Sequence, residues 1–467
     1  MKKYLLIAAA FSLLVFSCPD EKEDKRSFWA QDAKGKNYQV QAELLAAGIY
    51  CNVWVDVNAG VDVNTARMIA QEYDKNIYLK MMPVFGFPAL YSDGKKVVAT
   101  NTMQLADWLG DGDGKLCILL LDIKDDYNPP SNTSYIAGYF WGGDLLTVYN
   151  SNSADMIYID TYPGFKNMAN LYRTLAHEMQ HMINFALTIA NRKGASMDTW
   201  IDEGLSSAAE YIVYGPSENR LKDYNNSDLI KKGNNFFVWN NRYNAEKTAD
   251  GSPVAVLDDY ATVYLFFQWL RIQSAKGTEI YKDIIGSAAS NYTAVTAAAK
   301  NINSDYGDWG NLLRDWLAAN QINNATGPYG YKGEEAFSEI AKHYVPGTST
   351  NIQLFPGEGV YSYTTSNPGN SPNGNINYHY LDTVPYLLTY NVNVNYGTQS
   401  EKKETGTVTG IAPPSVNIIS QGSRSALSSS NSGPSPVSMG DLRGRNGYQE
   451  QLPYGDFPLI TILEQGE

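Results

Sequence analysis

Hydrophobic positions divide this chain into two regimes that meet near residue 330. Before that point, apolar residues form short strand-like runs and longer stretches at helical spacing. Gly48 to Val57 reads as a strand, and Val63 to Tyr73 places Ala66, Ile69 and Ala70 toward one side of a helix. Leu116 to Leu121 is an unbroken apolar run, the pattern of a strand covered on both faces. Tyr135 to Trp141 and Asp155 to Asp160 read as two further strands, while Met81 to Pro88, rich in Met, Phe and Pro, reads as buried but irregular. Residues 27–46 are polar to mildly amphipathic and read as a short leading segment.

Phe165 to Ala190 contains neither Pro nor Gly and can run as one helix, with Gly194 at its C′ position. A second helix is expected from Thr199, whose hydroxyl and Asp202 make a capping-box pattern, to just before Gly215-Pro216. Further helices follow from Asp258, between Tyr281 and Ala299, and from Trp309 to Asn320. The order strand, helix, strand, strand, strand, helix predicts an α+β fold: a mixed twisted sheet with the long helix on one face, then a mainly helical subdomain. From residue 326 to 467 the chain turns to Gly, Asn, Pro and Ser with short alternating runs, such as Tyr386 to Asn395 and Phe457 to Leu463. That is a β-rich accessory region, with Ser420 to Ser438 a low-complexity loop.

Composition narrows the function classes. At 467 residues, 43% hydrophobic and only 18% charged, the chain can bury a large core and is not disordered by default. A net charge of -13 argues against nucleic acid or an anionic membrane surface as partner.

Residues 1–18 are set apart as a targeting segment: Lys2 and Lys3, an apolar run from Tyr4 to Phe16, then Ser17-Cys18. A small residue followed by Cys resembles a bacterial lipobox, in which Cys18 carries the lipid. An ordinary signal peptide cut nearby is the less favoured reading, because no Ala-x-Ala site is visible. Either way the protein is expected outside the cytoplasm, anchored to the outer membrane or cell surface, or secreted. Residues 19–47 would then be tether and leading segment. Cys51 and Cys117 both lie in strand-like runs, and a disulfide and two buried thiols are equally compatible with the sequence. Asp111-Gly112-Asp113-Gly114-Lys115 resembles a calcium loop, but Lys115 occupies the place of an oxygen ligand and no Glu closes it, so a turn is preferred.

The chemistry is concentrated in the long helix. His177, Glu178 and His181 form a His-Glu-x-x-His unit. Residues four apart on a helix share a face, so both imidazoles can hold one zinc ion, with Glu178 placed as general base for an activated water. A third ligand is required. A metzincin would place His at position 187 and Gly at 184, where this chain has Leu187 and Asn184. The remaining histidines, His343 and His379, lie far downstream, so a carboxylate is the economical choice.

Trp200-Ile201-Asp202-Glu203-Gly204-Leu205 resembles the aromatic-x-Asn-Glu-Gly motif of the gluzincins, with Asp202 where Asn is usual. Together with the His-Glu-x-x-His helix it is closest to the hyicolysin-type family of secreted bacterial metallopeptidases. The likeness implies that residues 48–325 form a zincin-like catalytic domain in which Glu203 completes the zinc site. Asp202 is the alternative ligand. Glu210, two helical turns beyond Glu203, is either an acceptor for a ligand imidazole or a solvated helix charge. Aminopeptidase-type gluzincins carry an oxyanion-stabilising Tyr at the start of a later helix, a place that Tyr260 fits best. A packing Tyr is the competing reading in a chain with 34 of them.

The expected activity is zinc-dependent cleavage of protein substrates. The sheet edge at Ala137 to Trp141 would align an extended peptide by strand addition. An aminopeptidase of the same class ranks lower, since no segment of Gly-x-Met-Glu-Asn type is present to grip a free amine. A surface-binding lipoprotein with a structural zinc is the third reading, and the presence of Glu178 speaks against it.

Overall fold

In the computed structural model the described residues are 25–85, 111, 113–131, 134–145, 148–191, 196–227, 230 and 257–343, followed by short strands only. Cys18, Gly194 and Ser420 to Ser438 lie outside them. The core is a six-stranded sheet in the order β1-β2-β3-β4-β7-β6. Its strands are β1 (Lys25–Gln31), β2 (Asn37–Ala47), β3 (Cys51–Asp56), β4 (Leu116–Leu121), β6 (Gly138–Phe140) and β7 (Met156–Asp160). A further strand, β5 (Ser134–Ile136), immediately precedes β6.

β3, β4 and β7 run parallel, and β1, β2 and β6 pair antiparallel to their neighbours. Every side chain of β4 is buried, as its unbroken apolar run requires of a central strand. Residues 27–46 are thus not a mere leader: they supply a hairpin that extends the sheet beyond β3. Their half-polar pattern suits strands with one face buried and the other partly exposed. Tyr135 to Trp141 is two strands rather than one, broken at Ala137, whose carbonyl accepts from Asp160 N at 2.9 Å.

Helix α1 (Val63–Glu72) packs on β2 and β3, with Asp62 accepting from the Asn64 and Thr65 amides at its start. The chain continues through a π turn, Tyr73–Ile77, into α2 (Tyr78–Phe85). Here the reading of Met81 to Pro88 as irregular is corrected as far as Phe85; residues 86–88 lie outside the described residues. Met81 and Phe85, one helical turn apart, are both buried, and Phe85 stacks on Tyr281 at 6.2 Å, so packing overrides the penalty of Pro83.

Helix α3 (Met168–Asn191) carries the His-Glu-x-x-His unit and packs on β6 and β7. Helix α4 (Thr199–Tyr214) lies against it, with Asp198 rather than Thr199 at the N-cap. The subdomain continues with α5 (Glu218–Asn226), α6 (Leu257–Gln273), α7 (Glu279–Ile285), α8 (Tyr292–Ala299) and α9 (Trp309–Ile322). Trp200, Phe266, Trp309 and Trp316 form an aromatic cluster that locks α4, α6 and α9 together.

Beyond residue 343 the structure describes strands alone: β8 (Val345–Pro346), β9 (Ile352–Leu354), β10 (Gly359–Tyr363), β11 (Ile376–Tyr380), β12 (Val392–Asn395), β13 (Thr407–Val408) and β14 (Leu463–Gln465). They make two small three-stranded sheets, except for β14, which returns to pair with β5. Cys51 and Cys117 are buried free thiols on neighbouring strands, and burial pushes both far above the usual thiol range. Among the described residues, no helix is long and apolar enough to cross a membrane.

Candidate metal centre

The site is built almost entirely from α3 and α4. Ligand atoms of His177, His181 and Glu203 all lie within 4.8 Å of one another, and the three residues are fully buried. Glu203 Oε2 stands 3.2 Å from His177 Nε2 and 3.8 Å from His181 Nε2. The imidazole centroids are 4.6 Å apart and the rings inclined at 71°, so two donors one helical turn apart converge on one point.

The opposite edges of both rings are engaged. His177 Nδ1 lies 2.7 Å from Glu210 Oε1. His181 Nδ1 lies 2.8 Å from Ser206 Oγ and 3.2 Å from Asp202 Oδ1. Because the Ser206 hydroxyl donates to Gln180 Oε1 at 2.6 Å, it accepts from the ring, which places the proton of His181 on Nδ1. Asn184 Nδ2 donates a short hydrogen bond to Asp202 Oδ1. Both Nε2 atoms face Glu203, and His181 Nε2 has no hydrogen-bond partner despite complete burial. A cation between them would satisfy the Glu203 carboxylate and the unpartnered His181 Nε2 together.

Charge follows the same geometry. Burial alone would pull the His177 imidazole down, but the hydrogen bonds and charges of Glu203 and Glu210 outweigh it and raise it to about 9. Burial together with the neighbouring His177 pushes His181 well down. Burial would raise Glu210, yet His177, Arg220 and Arg173 hold it below the usual carboxylate range. The donor set, two imidazoles and one carboxylate, therefore suits a divalent ion of zinc type.

Two close approaches set α4 in place. At Gly204 a Cβ would come within 2.4 Å of the Phe267 ring, so only glycine lets α4 settle against α6 with Glu203 facing the imidazoles. At the far end, Arg173 of α3 donates to the carbonyls of Tyr214, Gly215 and Pro216, and Lys80 of α2 to that of Val213 at 2.6 Å. These cations cap the carbonyl end of α4.

Tyr260 opens α6 beside the cluster, fully buried, with its hydroxyl donating to Glu203 Oε1 at 3.0 Å. The Arg220 guanidinium lies 4.6 Å from the Tyr260 ring centroid. Glu178 is buried next to His177. His177, His181, Glu203, Glu210 and Tyr260 thus lie together. His343 does not join them; its Nε2 bonds the Tyr224 carbonyl at 2.7 Å. Sequence reasoning missed the partners of His181, namely Ser206 and Asp202, and the groups behind them, Gln180 and Asn184. Asn184 and Gln180 flank His181 on the same helix, but nothing in the letters marks Asp202 as an imidazole partner rather than a spare ligand.

No family model matches the chain. The neutral metalloprotease ShpI of Staphylococcus hyicus is 33% identical over 327 residues, covering 68% of this chain and 67% of that protein. The chain belongs to the hyicolysin-type metallopeptidases. The gluzincin expectation holds in this metallopeptidase: its third candidate ligand is a glutamate on the helix after the His-Glu-x-x-His helix, and its fold is mixed α+β.

A second acidic group, Asp111, Asp113 and Asp155, also brings carboxylate oxygens within 4.8 Å of one another. Arg26 Nη1 lies 3.6 Å from Asp111, and Asp113 accepts from Asn52 Nδ2 at 2.7 Å and from Lys115 N at 2.7 Å. These contacts tie down the turn before β4.

Proposed function

We propose that this protein is an exported zinc endopeptidase in which His177, His181 and Glu203 hold the metal. The observation that carries the reading is the convergence of both Nε2 atoms and the Glu203 carboxylate while both Nδ1 atoms are engaged elsewhere. When bound, zinc would polarise the scissile carbonyl and lower the pKa of water.

The chain's own residues supply the rest. Glu178 accepts a proton from the attacking water as its oxygen bonds to the carbonyl carbon, then delivers that proton to the nitrogen as the C–N bond breaks. Tyr260, whose hydroxyl already reaches Glu203, turns its O–H to the developing oxyanion. Glu210 and Asp202 hold the imidazole tautomers. The terminal strand β6, alongside α3, aligns an extended peptide by backbone pairing. Lipid attachment at Cys18 would keep the enzyme at a membrane surface, facing protein substrates outside the cytoplasm. Calcium at the turn before β4 is a weaker part of the reading, since its carboxylates already have partners.

The test is Glu178→Gln. Bound zinc should match the wild type while casein cleavage falls by about 10²- to 10⁴-fold; full cleavage with metal retained sinks the base role. Equal cleavage of free and N-acetylated peptides supports an endopeptidase, and loss on acetylation points to an aminopeptidase. Zinc binding by a wild type that hydrolyses no peptide would favour a surface-binding protein.

A further inference from the structure

Arg220 carries a buried charge beside the metal centre. It lies on α5, whose sequence Glu-Asn-Arg-Leu-Lys-Asp-Tyr-Asn-Asn is polar nearly throughout, yet it is only 7% exposed. The other buried residue of that helix is Tyr224, one turn later on the same face. Taking a guanidinium out of water is costly unless opposite charge or an aromatic face meets it.

Here both do. Arg220 Cζ stands 4.6 Å from the centroid of the Tyr260 ring, well inside the reach of a cation–π contact. The hydroxyl of that ring donates to Glu203 Oε1 at 3.0 Å, and its centroid lies 6.3 Å from that of His177. The guanidinium charge also works against burial at Glu210 and at Asp223. Arg173, which bears on Glu210 as well, is tied to the carbonyl end of α4.

The helix that presents Arg220 is pinned on both sides of it. Just before α5, the Ser217 amide donates to the hydroxyl of Tyr264, one turn after Tyr260 on α6. One turn after Arg220, the Tyr224 hydroxyl accepts from Asn320 Nδ2 of α9 at 3.1 Å, and its carbonyl accepts from His343 Nε2 at 2.7 Å. Asn225 bonds the Ala341 amide at 2.7 Å and the Glu339 carbonyl at 2.8 Å. His343, outside the metal centre, thus helps to seat α5.

We infer that Arg220 is a positioning residue for Tyr260: its guanidinium lies against the ring, holds the phenol at the metal centre and strengthens its O–H as a donor to the oxyanion. This rests on the peptidase reading and on the part of Tyr260 in it. A cation over an aromatic face draws ring density toward itself, which leaves the phenolic oxygen less electron-rich and its O–H a better donor. Loss of such a contact should lower kcat by about 3- to 30-fold. A role confined to Glu210 would act elsewhere, on His177 and so on zinc affinity.

The test uses the full chain saturated with zinc and an internally quenched casein-derived peptide. Arg220→Met and Arg220→Gln remove the charge, whereas Arg220→Lys keeps a cation; urea midpoints identify which neutral variant is folded. In that variant kcat should fall by about 3- to 30-fold with KM changed by less than about twofold, and Arg220→Lys should recover part of the loss. In a Tyr260→Phe background the same change should lower kcat no further, because no hydroxyl is left for it to act on. A second measurement needs neither zinc nor turnover: with fluorotyrosine in place of Tyr260 alone, its fluorine resonance should move when the charge is removed and move less in Arg220→Lys. Unchanged kcat, additive losses in the double variant or an unmoved resonance each overturn the proposal. So does a loss that disappears at saturating zinc, which would assign Arg220 to Glu210. Wild-type kcat in Tyr260→Phe would remove Tyr260 from the oxyanion and Arg220 with it, and a zinc-bound wild type that cuts no peptide would overturn the peptidase reading and both roles together.

Discussion

His177 Nδ1 and Glu210 Oε1 lie 2.7 Å apart across the α3–α4 interface, with both side chains almost wholly removed from solvent. A ring pinned at Nδ1 presents Nε2 without searching for its tautomer. Glu210→Ala should weaken zinc binding by about 10- to 100-fold, and Glu210→Gln by less, because its amide oxygen still accepts. Competition with a chromophoric chelator reads both constants. Wild-type affinity in Glu210→Ala would assign Glu210 to packing alone.

Asp202 plays the matching part for His181, with Asn184 holding its carboxylate. Asp202→Ala is expected to lower zinc affinity by up to about tenfold, less than Glu210→Ala, because Ser206 Oγ remains as an acceptor at 2.8 Å. Asp202→Asn keeps an acceptor oxygen and should fall between wild type and alanine. An alanine variant that binds zinc as tightly as wild type would remove Asp202 from the metal's support.

For Tyr260 two roles separate cleanly. If its hydroxyl serves the oxyanion, Tyr260→Phe lowers kcat by about 10²- to 10³-fold with zinc affinity intact. If it serves only to hold Glu203, zinc affinity falls and zinc-saturated kcat recovers. We expect the first outcome.

Gly204→Ala should destabilise the fold by about 1–3 kcal/mol. Its Cβ would fall 2.4 Å from a ring carbon of Phe267. Urea unfolding at constant m-value checks this, and an unchanged midpoint would mean that α4 has slack against α6.

Asp258 supplies a pH dependence away from the metal. Burial lifts its carboxyl to about 6, against a lowering bond from Ser227 Oγ at 2.7 Å, and Asp223 adds to the rise. The folded state therefore holds this proton more tightly than the unfolded chain, whose Asp titrates near ~3.9. The stabilisation is complete below that value and is lost as pH climbs through about 6. Relative to Asp258→Asn, the wild type should lose on the order of 2–3 kcal/mol between pH 4 and 7. Parallel stability curves for the two proteins would contradict this.

Much of the metal centre was legible because it is written in helical spacing. His177 and His181 sit one turn apart, and Glu203 and Glu210 two turns apart, so the letters state which side chains share a face. The central strands were equally plain, since β4 is continuous Leu, Cys and Ile. What escaped depended on tertiary partners. The β1–β2 hairpin is half polar because one of its faces is buried and the other partly exposed, and α2 is helical through Pro83 because Met81 and Phe85 find a core to fill. The Asp202 contact needed the actual rotation of α4 against α3, which no local pattern encodes.

The pairing of Glu210 with His177 spans only 33 residues of chain. Every hydrogen-bond and ion-pair partner named above for the His177 and His181 rings falls within that same α3–α4 stretch. Closing so short a loop costs little chain entropy, whereas the sheet must join strands far apart in sequence. The metal centre is therefore a local unit, one that a zinc ion could staple as a helical hairpin before the sheet beneath it has assembled.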